Sequence, residues 1–192
     1  MLTLQTIKEN ALNEHIPIIM DDTLQEIESI LSEKNPNSLL EIGTAVGYSA
    51  ICFSKYIKQN IDTIEIDEEK AKRAIENIKK LKLENKINVY IGDAVEILPT
   101  INKTYDVIFI DASKSKYPFF LEQSLRLLNK NGIILADNVL YKGYVLGNYN
   151  KHKQRTAVNN LRAFIKEIQE NPNLETTILE IGDGLAICKK IM

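Results

Sequence analysis

The chain has 192 residues, 44% of them hydrophobic and 26% charged, with a formal net charge of -2. That is the balance of an ordinary soluble globular protein with material for one large core, so a single domain over 1–192 is expected. So small a charge excludes a global attraction to nucleic acid and leaves only a local contact open.

Cys52 and Cys188 lie far apart in no metal-type spacing and read as core-filling thiols of a reducing compartment. The start, "MLTLQTIKENALNEHIPII", carries polar and acidic residues throughout and lacks the basic start and apolar stretch of a signal peptide. No apolar run is long enough to span a bilayer, so no membrane role and a cytoplasmic location are expected.

In chain order, two helical segments at about 3–14 and 20–33 are split by "HIPII", where Pro17 prevents a continuous helix. Apolar runs then alternate with amphipathic stretches. "SLLEIG" (38–43) precedes a helix in "GYSAICFSKYI". "DTIEID" (62–67) precedes "EEKAKRAIENIKKLKL", where Ala71, Ala74, Ile75, Ile78 and Leu81 form one apolar stripe. "INVYIG" (87–92) leads to the short "DAVEILPTI", "YDVIFID" (105–111) to "YPFFLEQSLRLL", and "GIILADN" (132–138) comes next.

A helix from about Lys153 to Glu170 stops near Pro172, and "ETTILEI" and "GLAICKK" meet at "GDG". Continuous apolar strands separated by helices indicate a mostly parallel sheet covered on both faces. The Asp-Gly turn makes the last two strands a hairpin, with the final strand antiparallel to the rest. The fold expected is α/β: a doubly wound, mostly parallel seven-stranded sheet with an antiparallel C-terminal hairpin and N-terminal helices.

In such a sheet ligands bind beyond the carboxyl ends of the strands, near the topological switch. The first end reads "EIGTAVGYS", with Gly43 and Gly47 four apart, which is not the dinucleotide pattern G-x-G-x-x-G. By itself the pair is equally an ordinary strand-to-helix turn. Glu65, closing the second strand, follows the turn by about 20 residues, the spacing at which an acid meets ribose hydroxyls. The third strand ends "IGDA", so Asp93 and Ala94 either border an adenine or Asp93 merely caps the next helix.

The fourth strand ends in "FIDASKSKY", placing Asp111 beside the Asp137 and Asn138 that end the fifth. Each alone is a helix cap or a turn. Together they are three oxygen ligands of the kind that hard divalent cations such as Mg²⁺ take, with no Cys or His cluster to suit zinc.

These strand ends resemble the class I S-adenosylmethionine-dependent methyltransferases over most of the chain from Leu39 to Lys190. By that resemblance S-adenosylmethionine (SAM) is the cofactor, Glu65 holds its ribose, Asp93 and Ala94 border its adenine, and Gly43 and Ser49 lie near its amino-acid end. Asp111 belongs to the cofactor side as well. Ile19 sits where the family folds its N-terminal segment, here about 1–36, over the cofactor.

Asp111, Lys114, Asp137 and Asn138 further resemble the pattern of the cation-dependent O-methyltransferases related to the catechol and caffeoyl-coenzyme A enzymes. "DASK" stands where many members read "DADK", and Ser113 replaces an acid not expected to bind metal. In that chemistry a bound Mg²⁺ or other divalent cation acidifies and orients a hydroxyl for attack on the sulfonium methyl. Lys114, with Asp111 beside it, is placed to accept the proton or stabilise the oxyanion.

The acceptor is less sharply written. Lys142, Lys151, Lys153, Arg155 and Arg162, interleaved with Tyr141, Tyr144 and Tyr149, are ingredients of a nucleic-acid surface and equally of a solvated helix start over core tyrosines. "ADNVLYKG" and "IGDGLAICKK" resemble the bacterial branch that methylates 5-hydroxyuridine at the tRNA wobble position, giving 5-methoxyuridine. That resemblance implies the tRNA anticodon region as partner, with Lys142 and Arg155 on its backbone, and a homodimer. The 5-hydroxyl and 4-carbonyl would chelate a metal as a catechol does. The alternatives are a small-molecule catechol or hydroxycinnamoyl-coenzyme A O-methyltransferase, and a non-catalytic adenosine-binding RNA partner. His15 and His152 have no partners at ligand spacing and are assigned no role.

Overall fold

The computed structural model describes residues 3–147 and 154–191. The N-terminal segments form α1 (Leu4–Asn13) and α2 (Asp21–Lys34), separated at Pro17 as expected. Then come β1 (Ser38–Ile42), α3 (Tyr48–Phe53), β2 (Asn60–Glu65), α4 (Glu68–Lys80), β3 (Ile87–Ile91) and α5 (Ala94–Ile97). The second half contributes β4 (Tyr105–Ile110), α6 (Tyr117–Leu127), β5 (Leu128–Ala136), α7 (Arg155–Glu170), β6 (Leu174–Leu179) and β7 (Leu185–Lys190). The strands make a seven-stranded sheet in the order β3-β2-β1-β4-β5-β7-β6. Among the described residues no helix is long and apolar enough to cross a membrane. The chain divides into two compact units, Met1–Thr100 and Ile101–Met192.

In the first unit β2 pairs in parallel with both β1 and β3, which brings the ends Ile42, Glu65 and Ile91 to one side. Asp67 caps α4 by accepting from the backbone N–H groups of Glu69 and Lys70. Ala71, Ala74 and Ile78 are buried, but Ile75 is 42% exposed, so the apolar stripe is narrower than the sequence suggests. The reason is a close approach: a Cβ at Gly47 would lie 3.2 Å from that of Ala74, so α4 meets the Gly47 turn through its alanines. The helix expected through "GYSAICFSKYI" stops at Phe53, and the Ser54 hydroxyl turns back to the carbonyl of Ile51. Arg73 forms a two-pronged ion pair with Glu14, tying the N-terminal segment to α4, although exposure to solvent screens such a pair and leaves it a weak tie.

In the second unit β4 and β5 are parallel, while β7 runs antiparallel to both β5 and β6, as the Asp-Gly turn required. β5 begins four residues earlier than its apolar run, with a register irregularity between Tyr105 and Val107, and closes at Ala136 rather than Asn138. Val158, Leu161, Phe164 and Ile168 are the buried stripe of α7, and the Phe164 ring meets Tyr117 edge-on at 5.3 Å. The expected helix start at Lys153 lies outside the described residues, as do Tyr149, Lys151 and His152.

The β6–β7 turn also supports the segment after β5. The carbonyl of Gly184 accepts from Val139 N–H, and that of Asp183 accepts from Leu140 N–H. Gly184 has φ +90°, and a Cβ there would run into the Leu140 side chain and lie 2.9 Å from its backbone nitrogen. Gly184→Ala therefore combines a disfavoured backbone with overpacking, and should cost at least about 2 kcal/mol in urea unfolding. Wild-type stability in that variant would show that the turn yields freely.

Candidate active site

The first unit holds two carboxylates at its strand ends. Glu65, 8% exposed, accepts from Ala45 N–H at 2.7 Å through one oxygen and from Asp67 N–H at 2.9 Å through the other. It thereby fixes the turn after β1, where Gly43, Ala45 and Gly47 all have positive φ. A carboxylate accepts about four hydrogen bonds, so Glu65 keeps capacity for a pair of hydroxyls.

The second acid, Glu41, was not singled out in the sequence. It is wholly buried in β1 and accepts from the hydroxyls of Ser49 and Thr63, and Thr63 in turn bonds Thr44. An acid taken so far from water is held by such a hydrogen-bonded shell. The signal for it was the one acid inside an otherwise apolar run, "SLLEIG". Ser49 thus stands on Glu41, and Gly43 lies two residues beyond it.

Asp93 does cap α5, accepting from Val95 N–H at 2.8 Å, with Ala94 buried behind it. The cap is therefore real, and it does not exclude a ligand at the second oxygen of Asp93. Ile19 is buried between α1 and α2.

In the second unit the parallel register sets Ile110 against Ala136, so the next residues of β4 and β5 emerge side by side. Asp137 N–H continues the pairing to the carbonyl of Ile110, at 2.9 Å. The buried Tyr117 hydroxyl donates to the carbonyl of Asp137 at 2.7 Å and lies 3.3 Å from that of Ile110. Burial raises its pKa well above the usual phenol value, keeping it a donor. The Lys114 ammonium donates to Asp111 Oδ1 at 3.1 Å. Asn138 takes φ 56°, a conformation Asn tolerates, and its N–H donates to Asp137 Oδ1 at 2.7 Å.

Asp137 is 1% exposed. Burial first, then the charge of Asp111, pushes its pKa from 3.8 up to about 7, with Asp183 adding to the rise and Asn138 N–H and Lys114 opposing it. Three acids thus bear on one another against a single lysine. That surplus of negative charge on hard oxygens fits a divalent cation held by Asp111, Asp137 and Asn138. Among the described residues no group of three or more His, Cys, Asp or Glu side chains is placed to hold a metal, so such a cation would have only two carboxylates and an amide oxygen from the protein. Its remaining positions would be open to water or substrate.

A family model for O-methyltransferases matches residues 2–191. The chain belongs to the O-methyltransferase family. It is 33% identical over 175 residues to a catechol O-methyltransferase of Niastella koreensis, covering 85% of this chain and 76% of that one. It is 31% identical over 185 residues to the tapetum-specific methyltransferase 1 of Arabidopsis thaliana, covering 92% and 78%. The crystal structure of an O-methyltransferase from Bacillus cereus in complex with SAH (S-adenosylhomocysteine) matches with a TM-score of 0.88 at 25% identity, covering 97% of this chain and 90% of that one. A Staphylococcus aureus protein solved as a candidate caffeoyl-CoA O-methyltransferase matches at 0.91 and 32% identity, covering 99% and 93%.

The basic residues of this O-methyltransferase do not act as one group. Lys142 is exposed with φ 57°, and Arg155 is exposed at the start of α7. Arg162 is turned to the backbone instead, donating to the carbonyls of Val145, Tyr144 and Gly147. Lys151 and Lys153 lie outside the described residues.

The raised pKa of Asp137 has a stability consequence. The folded chain holds that proton more tightly than the unfolded one, so the neutral acid favours folding below about pH 4. That advantage is lost as pH rises to about 7, each tenfold difference in proton affinity being worth about 1.4 kcal/mol. Without divalent cations, Asp137→Asn should gain stability over wild type between pH 5 and pH 8 in thermal melts. A difference that does not change with pH would mean that Asp137 is charged without penalty.

Proposed function

We propose that this O-methyltransferase transfers a methyl group from SAM to a hydroxyl that lies beside a second oxygen on the acceptor. The observation that carries the reading is the buried Asp137 carboxylate set against Asp111, with Lys114 in contact. SAM, for which the SAH complex of the Bacillus cereus relative is the support, would supply a sulfonium methyl. A divalent cation on Asp111, Asp137 and Asn138 would supply Lewis acidity toward the acceptor oxygens.

The chain's own residues supply the rest. Glu65, already fixed by two backbone N–H groups, would receive the ribose hydroxyls, with Asp93 and Ala94 along the base. Glu41, through Ser49 and near Gly43, would face the amino-acid end, and Ile19 would cover the cofactor. The carboxylate of Asp111 holds the Lys114 ammonium in one position, 18% exposed, as a fixed donor toward an oxyanion; to take up the departing proton it would first have to release one of its own to water. Tyr117 keeps the chain after β5 in place so that Asp137 and Asn138 cannot swing apart.

For the acceptor we propose 5-hydroxyuridine at the wobble position of tRNA, with Lys142 and Arg155 on the anticodon backbone and a homodimer as the working form. The support is the vicinal oxygen pair of that base and the exposure of both cations. A second reading, a small catechol or hydroxycinnamoyl ester, is favoured by the activities for which the Niastella koreensis catechol and plant caffeoyl-CoA relatives are named. Both use the same chemistry and differ only in what lies beyond the reacting ring.

Labelled SAM should transfer methyl to 5-hydroxyuridine-containing tRNA, and a chelator should abolish the transfer. Lys114→Ala should lower kcat by about 10²-fold or more. The double variant Lys142→Glu/Arg155→Glu should lose tRNA methylation and keep SAM binding. Labelling of a simple catechol alone would move the acceptor to the second reading, and chelator-resistant transfer would remove the metal from the chemistry.

A further inference from the structure

We infer that Arg162 is a positioning residue for the acceptor: it clamps the segment 141–147 that follows the Asp137–Asn138 pair. The inference rests on the O-methyl transfer proposed above. Asn138, Tyr141, Lys142 and Gly143 all have positive φ, at 56°, 45°, 57° and 74°. Such backbone angles disfavour a bulky residue such as tyrosine and persist only where surrounding contacts impose them.

Two sets of contacts do so. At the base, the carbonyls of Asp183 and Gly184 in the β6–β7 turn take the N–H groups of Leu140 and Val139, and Asp183 O also lies 3.3 Å from Tyr141 N. At the far end, the Arg162 guanidinium reaches from α7 to Val145 O at 3.1 Å, to Tyr144 O at 3.4 Å, and to Gly147 O. Between these grips lie the rings of Tyr141 and Tyr144, edge to face at 5.7 Å. The planar fork bonds Val145 O through Nε while Nη2 takes Tyr144 O and Gly147 O, a fixed spread of donors that the single nitrogen of an ammonium on a flexible stem does not reproduce. Arg162 therefore acts through its shape, upon the backbone that carries two aromatic rings within seven residues of Asp137. These rings would serve as a wall for a planar acceptor, where small misplacements of the reacting hydroxyl are costly.

The same helix also holds the other candidate segment, since Asn160 Nδ2 donates to Ser115 O at 2.5 Å in the turn that carries Lys114. Helix α7 thus grips both stretches of chain that follow β4 and β5.

The test compares wild type, Arg162→Lys and Arg162→Gln on two acceptors, 5-hydroxyuridine-containing tRNA and 3,4-dihydroxybenzoate, with SAM affinity measured separately by calorimetry. On the acceptor that wild type methylates, both variants should raise KM at least about tenfold. Their affinity for SAM should stay within about twofold of wild type. Failure of lysine to rescue is the decisive feature, because a cation contacting phosphate would be largely replaced by another cation. Wild-type KM in either variant, or rescue by lysine, overturns the inference while leaving the methyl transfer intact. If Arg162→Gln does not fold, Arg162→Lys decides alone. No methyl transfer by wild type to either acceptor overturns the functional reading and this inference together.

Discussion

The second unit is organised around one unfavourable contact, two carboxylates brought together at the ends of adjacent parallel strands. The pairing of Ile110 with Ala136 leaves Asp111 and Asp137 no choice but to emerge as neighbours. Tyr117, buried and kept protonated by its surroundings, holds the carbonyl of Asp137 and denies the chain a route to relax. Lys114 answers part of the charge through Asp111, while Asp183 adds to it. A fold concerned only with stability would gain by replacing such a buried acid with an apolar residue. A site for a cation and an oxygen-rich acceptor would account for its presence.

The first unit treats its acids differently. Glu41 and Glu65 are both buried, yet each is met by donors: two hydroxyls for the one, two backbone N–H groups for the other. These carboxylates are settled in place before any ligand arrives, so binding need not spend free energy on ordering them. The two units of this O-methyltransferase therefore differ in how they hold their buried acids. One holds its buried acids with donors already in place, and the other sets Asp137 against Asp111 with only Lys114 answering part of the charge.

Most of the fold was legible because buried parallel strands read as unbroken apolar runs, and Pro17 and the Gly182–Asp183–Gly184 turn punctuate the two ends. Strand ends were legible for the same reason: a polar residue closing an apolar run has to meet something. What escaped were features that depend on distant partners. Glu41 sits within a strand, where only the folded positions of Ser49 and Thr63 show why an acid is there. Arg162 read as one of a basic set, and nothing in its neighbours in sequence foretells that it bonds carbonyls 15 to 18 residues away. Ile75 fits the helical period of α4, but the alanine-to-glycine approach at Gly47 narrows the buried face and leaves it outside. Asp93 was read two ways, and local geometry shows the cap while leaving its second oxygen open to the other reading.

The central claim is that Asp111, Asp137 and Asn138 form a site for a hard divalent cation. Mn²⁺ binding followed by electron paramagnetic resonance at pH 8, on wild type beside Asp137→Asn, addresses it without any acceptor or methyl donor. One saturable site in the wild type, lost or weakened at least about tenfold in the variant, is the predicted result. Equal Mn²⁺ binding by the two proteins, or none by either, would contradict it, and the paired carboxylates would then need another explanation.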